Sequence, residues 1–309
     1  MTRMTLDQLE IFLAVAQHMH FTRAAEALYI TQSSVSAAIQ SLEEKYGVKL
    51  FHRIGRHIEI TDAGMLLQVE AQKIFNAVAL CERGLRELNN LQQGELRLGA
   101  SQTIGNYWLP QFISKFKQQY SGIQVNCTLG NTQEISAGTV KGLFDLGLVE
   151  GEIEPSVKDF LEQRVVGGDR LLVVVGKSHP WFERQSVSMY ELSKTVWVMR
   201  EKGSGTRQRF EQALQDWGIE LAELTVILEM STGEMVKVAV ESGVGVAAIS
   251  ELMVNKELQL GTLRAVVIID GAQKSTTFFD ITRQFVLLKH RERFSTRVSQ
   301  AFEQILITH

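Results

Sequence analysis

Cysteine is scarce: the 309 residues include two, Cys81 and Cys127, too few for a disulfide framework or a thiolate metal cluster. Long apolar runs are absent as well. A membrane-spanning helix needs roughly 18 such residues, and the longest tight run, Leu171-Leu172-Val173-Val174-Val175, is the size of a strand. The opening Met1-Thr2-Arg3-Met4-Thr5 lacks the apolar core of a secretory signal. These absences predict a cytoplasmic protein with no membrane association. No charge of one sign dominates: 32 Lys and Arg face 35 Asp and Glu, a net charge of -3. Residues 1–60 carry six basic and six acidic side chains, so any nucleic-acid contact must be local. Catalytic patterns are missing too. There is no Gly-x-Ser-x-Gly, no His-Glu-x-x-His and no phosphate loop ending in Gly-Lys-Ser/Thr. His179 and His290 read as surface groups. The reading is therefore of a protein that is not an enzyme, with no metal and no cofactor.

What is present starts with Phe21 to Tyr46. Ala24, Ala25 and Leu28 form a small-residue face, and Val35, Ile39 and Leu42 recur at spacings of four and three. The pattern predicts two short helices joined by a tight turn. Thr22 is a candidate N-cap of the first, and Thr31 or Ser33 of the second. Gln32, Ser33, Ser34 and Ser36 then occupy the other face of the second helix, at the end where a recognition helix meets base edges. An ordinary helical hairpin with a solvated polar face is the less favoured alternative for this stretch. Next come Val48–Arg53 and Arg56–Ile60 around Ile54-Gly55, which read as a small β-hairpin carrying Arg53 and Arg56.

At this point the sequence resembles the LysR-type transcriptional regulators. The matching residues are Phe12, Phe21-Thr22, Ala24-Ala25, Leu28, Thr31-Gln32-Ser33, Val35-Ser36, Ile39, Leu42-Glu43, Gly47, Leu50-Phe51, Arg53 and Thr61-Asp62-Ala63-Gly64. The resemblance implies a winged helix-turn-helix over residues 1–61, with double-stranded DNA as partner. Gln32, Ser33, Ser34 and Ser36 would meet bases, while Thr22, Arg23, Thr31, Arg53 and Arg56 would hold phosphates. The chain departs from many members of the family in carrying Ala37 where they carry Arg.

Residues 62–93 read as one long helix capped by Thr61 or Asp62. Leu67, Ala71, Ile74, Val78, Cys81, Leu85 and Leu88 step four and three without a break. Three heptads of that pattern predict a dimerisation seam, with packing onto its own domain as the alternative. Family resemblance adds a dimer of dimers and RNA polymerase as a further partner.

From residue 94 the pattern changes. Leu96, Leu98 and Ala100 alternate in a strand, a helix runs from Tyr107 to Tyr120, and Ile123, Val125, Cys127 and Leu129 alternate again. A helix over Thr132–Lys141 and a strand over Asp145–Val149 complete a βαβαβ run. A second unit has strands Leu171–Val175, Val196–Met199, Thr225–Glu229 and Val244–Ile249, with helices Thr206–Trp217 and Gly233–Glu241. The tail holds Phe285–Leu288 and a helix near Arg293–Ile307. The reading is an α/β effector domain of two Rossmann-like lobes. One covers about 94–163 plus 269–309 and the other about 164–268, with crossings near Arg164 and Ile268. The resemblance extends here to periplasmic binding proteins.

Small molecules gather at the carboxyl ends of strands in such sheets. Three of those ends carry hydroxyl- and glycine-rich turns, at 100–106, 130–134 and 200–207, and Glu229–Gly233 is a fourth candidate. Ser101, Gln102, Thr103, Asn131, Thr132, Ser204, Gly205, Thr206 and Arg207 are the candidate effector contacts. Free backbone N–H groups at a helix start, hydroxyls and basic side chains suit a small anion. Thr103–Tyr107 and Gly203–Arg207 resemble a LysR subgroup tied to sulfur or carbon assimilation, which implies sulfite or a similar oxyanion as effector. A solute-binding protein without DNA-binding activity is the alternative, disfavoured by an N-terminal third it would not need.

Overall fold

The structure is a computed structural model that describes residues 3–54, 57–89, 93–270 and 280–308. Arg56 falls outside the described residues, as do the side chains of Arg53 and Leu88. The chain divides into two compact units, Met1–Glu82 and Arg83–His309.

The first unit begins with helix α1 (Leu6–His18), started by a capping box between Thr5 and Gln8. Helix α2 (Phe21–Ala27) is capped by His20, whose Nδ1 accepts from the amides of Thr22 and Arg23. Thr22 therefore sits inside the first turn and is not the cap expected. His20 takes the role because its ring nitrogen is an acceptor at the same reach as a Ser or Asp oxygen. Helix α3 (Gln32–Tyr46) is capped by Thr31 and closed by Gly47 at φ 68. Phe12, Val15, Ala24, Ala25, Val35, Ile39, Leu42, Leu50 and Phe51 form one core, so the four-and-three spacing in α3 does mark its buried stripe.

Strands β1 (Phe51–Ile54) and β2 (His57–Ile60) pair antiparallel, Phe51 opposite Ile60, and make the expected hairpin. Glu43 ties it to α3. Its Oε1 accepts from the Leu50 amide at 2.9 Å and its Oε2 from Lys49 Nζ at 2.6 Å. Burial alone pushes the Glu43 carboxyl up, but Lys49 and the Leu50 and Phe51 amides outweigh it and hold it below the usual carboxylate range. A depressed folded pKa gives stability that is present above the unfolded pKa, near 4.3, and is lost as pH falls through the folded value. Glu43→Ala should destabilise this unit by about 1.5–3 kcal/mol at pH 7. The difference from wild type should shrink below about pH 4 in urea titrations. An unchanged difference at pH 3 would show that packing, not charge, is what Glu43 supplies.

Helix α4 (Asp62–Asn89) starts at Thr61, whose Oγ1 accepts from Gly64 N at 3.0 Å. Leu67 packs against the core of the first unit and Ala71 is fully buried, so the start of the expected seam serves its own domain. Farther along, Ile74 is 41% exposed, Leu85 is 67% exposed and Cys81 is exposed, while Val78 is half-buried. In the second unit Arg83 Nη2 bonds Asp145 Oδ1 at 2.9 Å, a carboxylate it shares with Arg97.

The second unit is built on a ten-stranded sheet, in the order β4-β3-β5-β12-β6-β10-β8-β9, with β11 and β7 joined through β6. Strand β3 (Gly94–Ser101) lies parallel between β4 (Ile123–Gly130) and β5 (Leu146–Glu150). Helix α5 (Pro110–Gln119), entered through a π turn at Ile104–Trp108, and α6 (Thr132–Lys141) connect them. The short α7 (Pro155–Lys158) leads to β6 (Leu161–Gly176). After β7 (Ser186–Ser188) come β8 (Val196–Arg200), α8 (Gly205–Asp216), β9 (Thr225–Met230), α9 (Gly233–Glu241) and β10 (Val246–Ser250). Helix α10 (Glu251–Leu260), β11 (Leu263–Ile269), β12 (Ile281–His290) and α11 (Arg297–Ile307) follow.

Two separate cores mark two lobes. Leu96, Leu98, Phe116, Leu148, Phe285 and Phe302 belong to one, and Leu171, Val175, Trp197, Phe210, Val246 and Ile281 to the other. Strands β6 and β12 run antiparallel through both. The second passage between lobes thus lies within β12, between Ile281 and Phe285; Ile268, where it was expected, is buried in the second core. Gly167 and Gly168 face Phe285 and Gln284 at this passage, and the register shifts between Phe285 and Val286. A Cβ at Gly168 would lie 2.7 Å from the Arg283 carbonyl oxygen, so the ladder leaves no room for a side chain there. His179, expected at the surface, is half-buried: its Nδ1 accepts from Trp181 N at 3.2 Å, and burial pushes its pKa down.

Candidate functional site

The first candidate surface is the N-terminal face of α3. Thr31, Gln32, Ser33 and Ser34 are exposed and Ser36 is half-buried. The Thr31 hydroxyl lies 2.8 Å from both Ser33 Oγ and Ser34 Oγ, and Gln32 Nε2 donates to Ser36 Oγ at 3.0 Å. The helix start therefore presents a connected set of short donors and acceptors, kept in place by one another. Thr22 and Arg23 are exposed on α2, and Ala37 is exposed next to Ser36. Tyr29, in the turn between α2 and α3, is 97% exposed at φ 56. Sequence reasoning passed over it. Its signal was an aromatic residue in the short turn between two capped helices.

The second candidate lies within the second unit, where the carboxyl ends of β3, β4, β5, β8, β9 and β10 meet. Ser101, Thr103, Thr132, Ser204, Thr206 and Ser250 are all buried there. Parallel pairing explains the convergence: β3, β4 and β5 end together in the first lobe, as β8, β9 and β10 do in the second.

Direct hydrogen bonds stitch the two lobes. Gln102 Nε2 donates to the Ser231 carbonyl at 3.0 Å and its Oε1 accepts from Gly233 N at 3.1 Å. Asn131 caps α6 and donates through Nδ2 to Glu201 Oε1 at 3.3 Å. Gln208 Oε1 accepts from Glu152 N at 3.2 Å. Gly205 sits against the end of β5, where an added Cβ would lie 2.5 Å from the Glu150 carbonyl carbon.

Ionisable groups occupy the middle of this junction, and of these the sequence reading reached only Arg200 and Glu201, as part of the turn 200–207. Glu150, the last residue of β5, is 2% exposed; the Ser101 hydroxyl donates to its carboxylate and Arg283 Nη1 lies 3.3 Å away. Arg283 reaches Asp169 through Nε at 2.5 Å and Nη2 at 3.0 Å, and donates from Nη1 to Thr206 Oγ1 at 2.9 Å. Ser250 Oγ also donates to Asp169, at 2.5 Å. Arg200 is clamped by its neighbour Glu201 at 2.7 and 2.9 Å. Burial pushes the Glu150 carboxyl above its usual range. Arg283, the Ser101 hydroxyl and Arg200 offset this in part, and Asp169 adds to it.

The candidate contacts are therefore distributed unevenly. Ser101, Gln102, Asn131, Thr132, Ser204, Gly205 and Thr206 do come together. Ser101 and Thr132 donate hydrogen bonds from their hydroxyls to Glu150, the latter to its backbone oxygen. Arg207 is engaged elsewhere. Its Nε bonds Glu211 at 2.6 Å, and its Nη1 bonds Glu229 and the Arg200 carbonyl. It is held along α8 and does not stand open as an anion contact. Among the described residues no cluster of three His, Cys, Asp or Glu could hold a metal, and no helix is long and apolar enough to cross a membrane.

Comparison with known proteins joins both surfaces in one chain. Residues 6–65 match the bacterial regulatory helix-turn-helix protein of the lysR family, and residues 89–309 match the LysR substrate binding domain. The probable RuBisCO transcriptional regulator of Trichormus variabilis is 33% identical over 303 residues, covering 98% of this chain and 88% of the relative. That of Porphyra purpurea is 33% identical over 307 residues, covering 98% and 93%. Full-length CbnR complexed with its target DNA shares the fold at TM-score 0.72 and 17% identity, covering 98% of this chain and 99% of that one. The Synechocystis PCC6803 CcmR regulatory domain in complex with 2-PG aligns at TM-score 0.60 and 24% identity, covering 70% of this chain and 97% of that one.

Proposed function

The chain belongs to the LysR family of transcriptional regulators and is not an enzyme; from that premise we propose that it reads an operator through α3 as a dimer, under control of a small anion bound between its two lobes. The observation that carries the DNA reading is the exposed, mutually bonded set Thr31, Gln32, Ser33, Ser34 and Ser36 at the start of α3. These groups are short enough to reach base edges in a major groove. Thr22, Arg23 and the wing residues Arg53 and Arg56 would add phosphate contacts. The apolar stripe of Ile74, Val78, Cys81 and Leu85 supports pairing of two chains, since three of these four are exposed in the single chain.

The relatives that regulate RuBisCO favour the carbon side of the assimilation subgroup over the sulfur side. Sulfite accordingly loses its place as first candidate. The complex of CcmR makes 2-PG the first compound to test, with sulfite, sulfate and phosphate after it. The operator and genes follow only from experiment.

A gel-shift series against genomic fragments tests the reading. The full chain should retard a few fragments, and Gln32→Ala should weaken those by about 1–3 kcal/mol while leaving non-specific binding intact. The same series includes Ile74→Asp/Leu85→Asp, which should scatter light as a monomer and lose the retarded bands at equal protein concentration. A variant of unchanged mass would overturn the seam, and uniform retardation of all fragments would overturn the operator reading.

A further inference from the structure

The interlobe junction carries a charge problem for any anionic effector. Facing Glu150 are Arg283 from β12, Asp169 from β6 beyond it, and Arg200 from β8, itself clamped by Glu201. Arg207 on α8 is taken by Glu211 and Glu229. The elements that carry Ser101, Thr132 and Ser250 bring hydroxyls and no compensating cation. The two guanidiniums nearest Glu150 thus answer to three carboxylates, those of Glu150, Asp169 and Glu201. Both guanidiniums are nearly buried, and their bonds to Asp169 and Glu201 are already made.

An oxyanion arriving at the Ser101, Ser204 and Thr206 hydroxyls would add negative charge to a buried site that already holds an excess of it. Uncompensated charge of that kind is strongly disfavoured away from water. Among the three carboxylates, Glu150 is the one without a bidentate guanidinium partner; its contacts are one hydroxyl and one Nη at 3.3 Å. It also ends β5 directly against Gly205, the first residue of α8.

We infer that Glu150 is the specificity-determining residue of the effector site, admitting an anion only together with one proton that its carboxyl takes up. This inference rests on the reading of the cleft as an anion site. The protonated carboxyl donates a hydrogen bond to the bound anion, and the Ser101 hydroxyl it releases becomes a second donor. Effectors that carry donor groups of their own, such as alcohols, would bind without the proton. By reciprocity, proton and anion tighten one another's binding by the same factor.

Calorimetry on the full chain with sulfate and with 2-PG as probes tests this, between pH 6 and 8 and in two buffers of different ionisation enthalpy. Sulfate keeps its charge across that range, so protons taken up with it belong to the protein. Above the range in which Glu150 of the free protein holds its proton, wild type should take up close to one proton per sulfate, with affinity falling by up to tenfold per pH unit. Glu150→Gln, which carries its donor at every pH, should bind at least as tightly at pH 8, with no proton uptake and a flat profile. Binding by wild type without proton uptake, or uptake that survives in Glu150→Gln, would overturn the assignment of Glu150 and leave the anion site standing. Binding of neither probe by either protein would overturn both.

Discussion

Arg283→Ala should destabilise the second unit by about 3–5 kcal/mol, the usual consequence of leaving a buried charge without its partner. The guanidinium is the hub of the junction: it reaches Asp169 twice, Thr206 once and Glu150 at 3.3 Å, and it is almost fully buried. Alanine would strand the Asp169 carboxylate in a dry site, with the Ser250 hydroxyl still bonded to it. For a domain of this size the loss corresponds to a fall in Tm of roughly 6–20 °C. Arg283→Met combined with Asp169→Asn should recover a good part of it, because replacing a buried ion pair by neutral groups is often near neutral. Thermal unfolding followed by circular dichroism reads both. A fall below about 3 °C for the single variant would mean that water reaches Asp169 freely, and that the junction is wet.

Gly205→Ala should open the same junction from the other side. The new Cβ would lie 2.5 Å from the Glu150 carbonyl carbon and 2.6 Å from Thr132 Oγ1, distances that real Cβ atoms do not show. The obstacle is backbone at the end of a buried strand, so it cannot rotate away; one lobe must shift. Overpacking of this sort typically costs about 1–3 kcal/mol. That strain falls on contacts between lobes, such as Glu152 N to Gln208 Oε1, and leaves the two cores untouched. Hydrogen exchange should therefore speed up about 10–100-fold at Glu152 and at the amides around Gln133. Protection of Leu98 and Val174, deep in either lobe, should stay as in wild type. Uniform loss of protection would show that the lobes unfold together and that Gly205 serves global stability.

The architecture was legible where side chains repeat a pattern. Val35, Ile39 and Leu42, and Leu96, Leu98 and Ala100, lie in the cores their spacing predicts. Reading failed where backbone pairing decides. Residues 161–170 begin Leu161-Glu162-Gln163-Arg164, without alternation, yet they form the first half of β6 because β12 supplies a partner along its whole length. Helix α10 and strand β11 were missed, and the last helix starts at Arg297 because Thr296 caps it. At the junction the hydroxyls could be named from glycine-rich turns at strand ends. The ion network could not: Arg200 stood in one of those turns, but Glu150, Asp169 and Arg283 come from three other strands whose adjacency exists only after folding. A carboxylate closing the apolar run Leu146-Gly147-Leu148-Val149 was the one visible hint.

The crossing between lobes has a mechanical side. It consists of β6 and β12 hydrogen-bonded to each other from Leu161 and His290 to Leu171 and Ile281. Loops would let the lobes swing about free backbone torsions. A laddered ribbon instead behaves as a leaf spring: it stores energy when bent and returns when released. The spring is thinnest where Gly167 and Gly168 remove side chains and the bulge at Phe285 and Val286 breaks the register. Bending should be focused there, so the expected lobe motion is a small rotation about one line, resisted by the ribbon as well as by the bonds between the lobes.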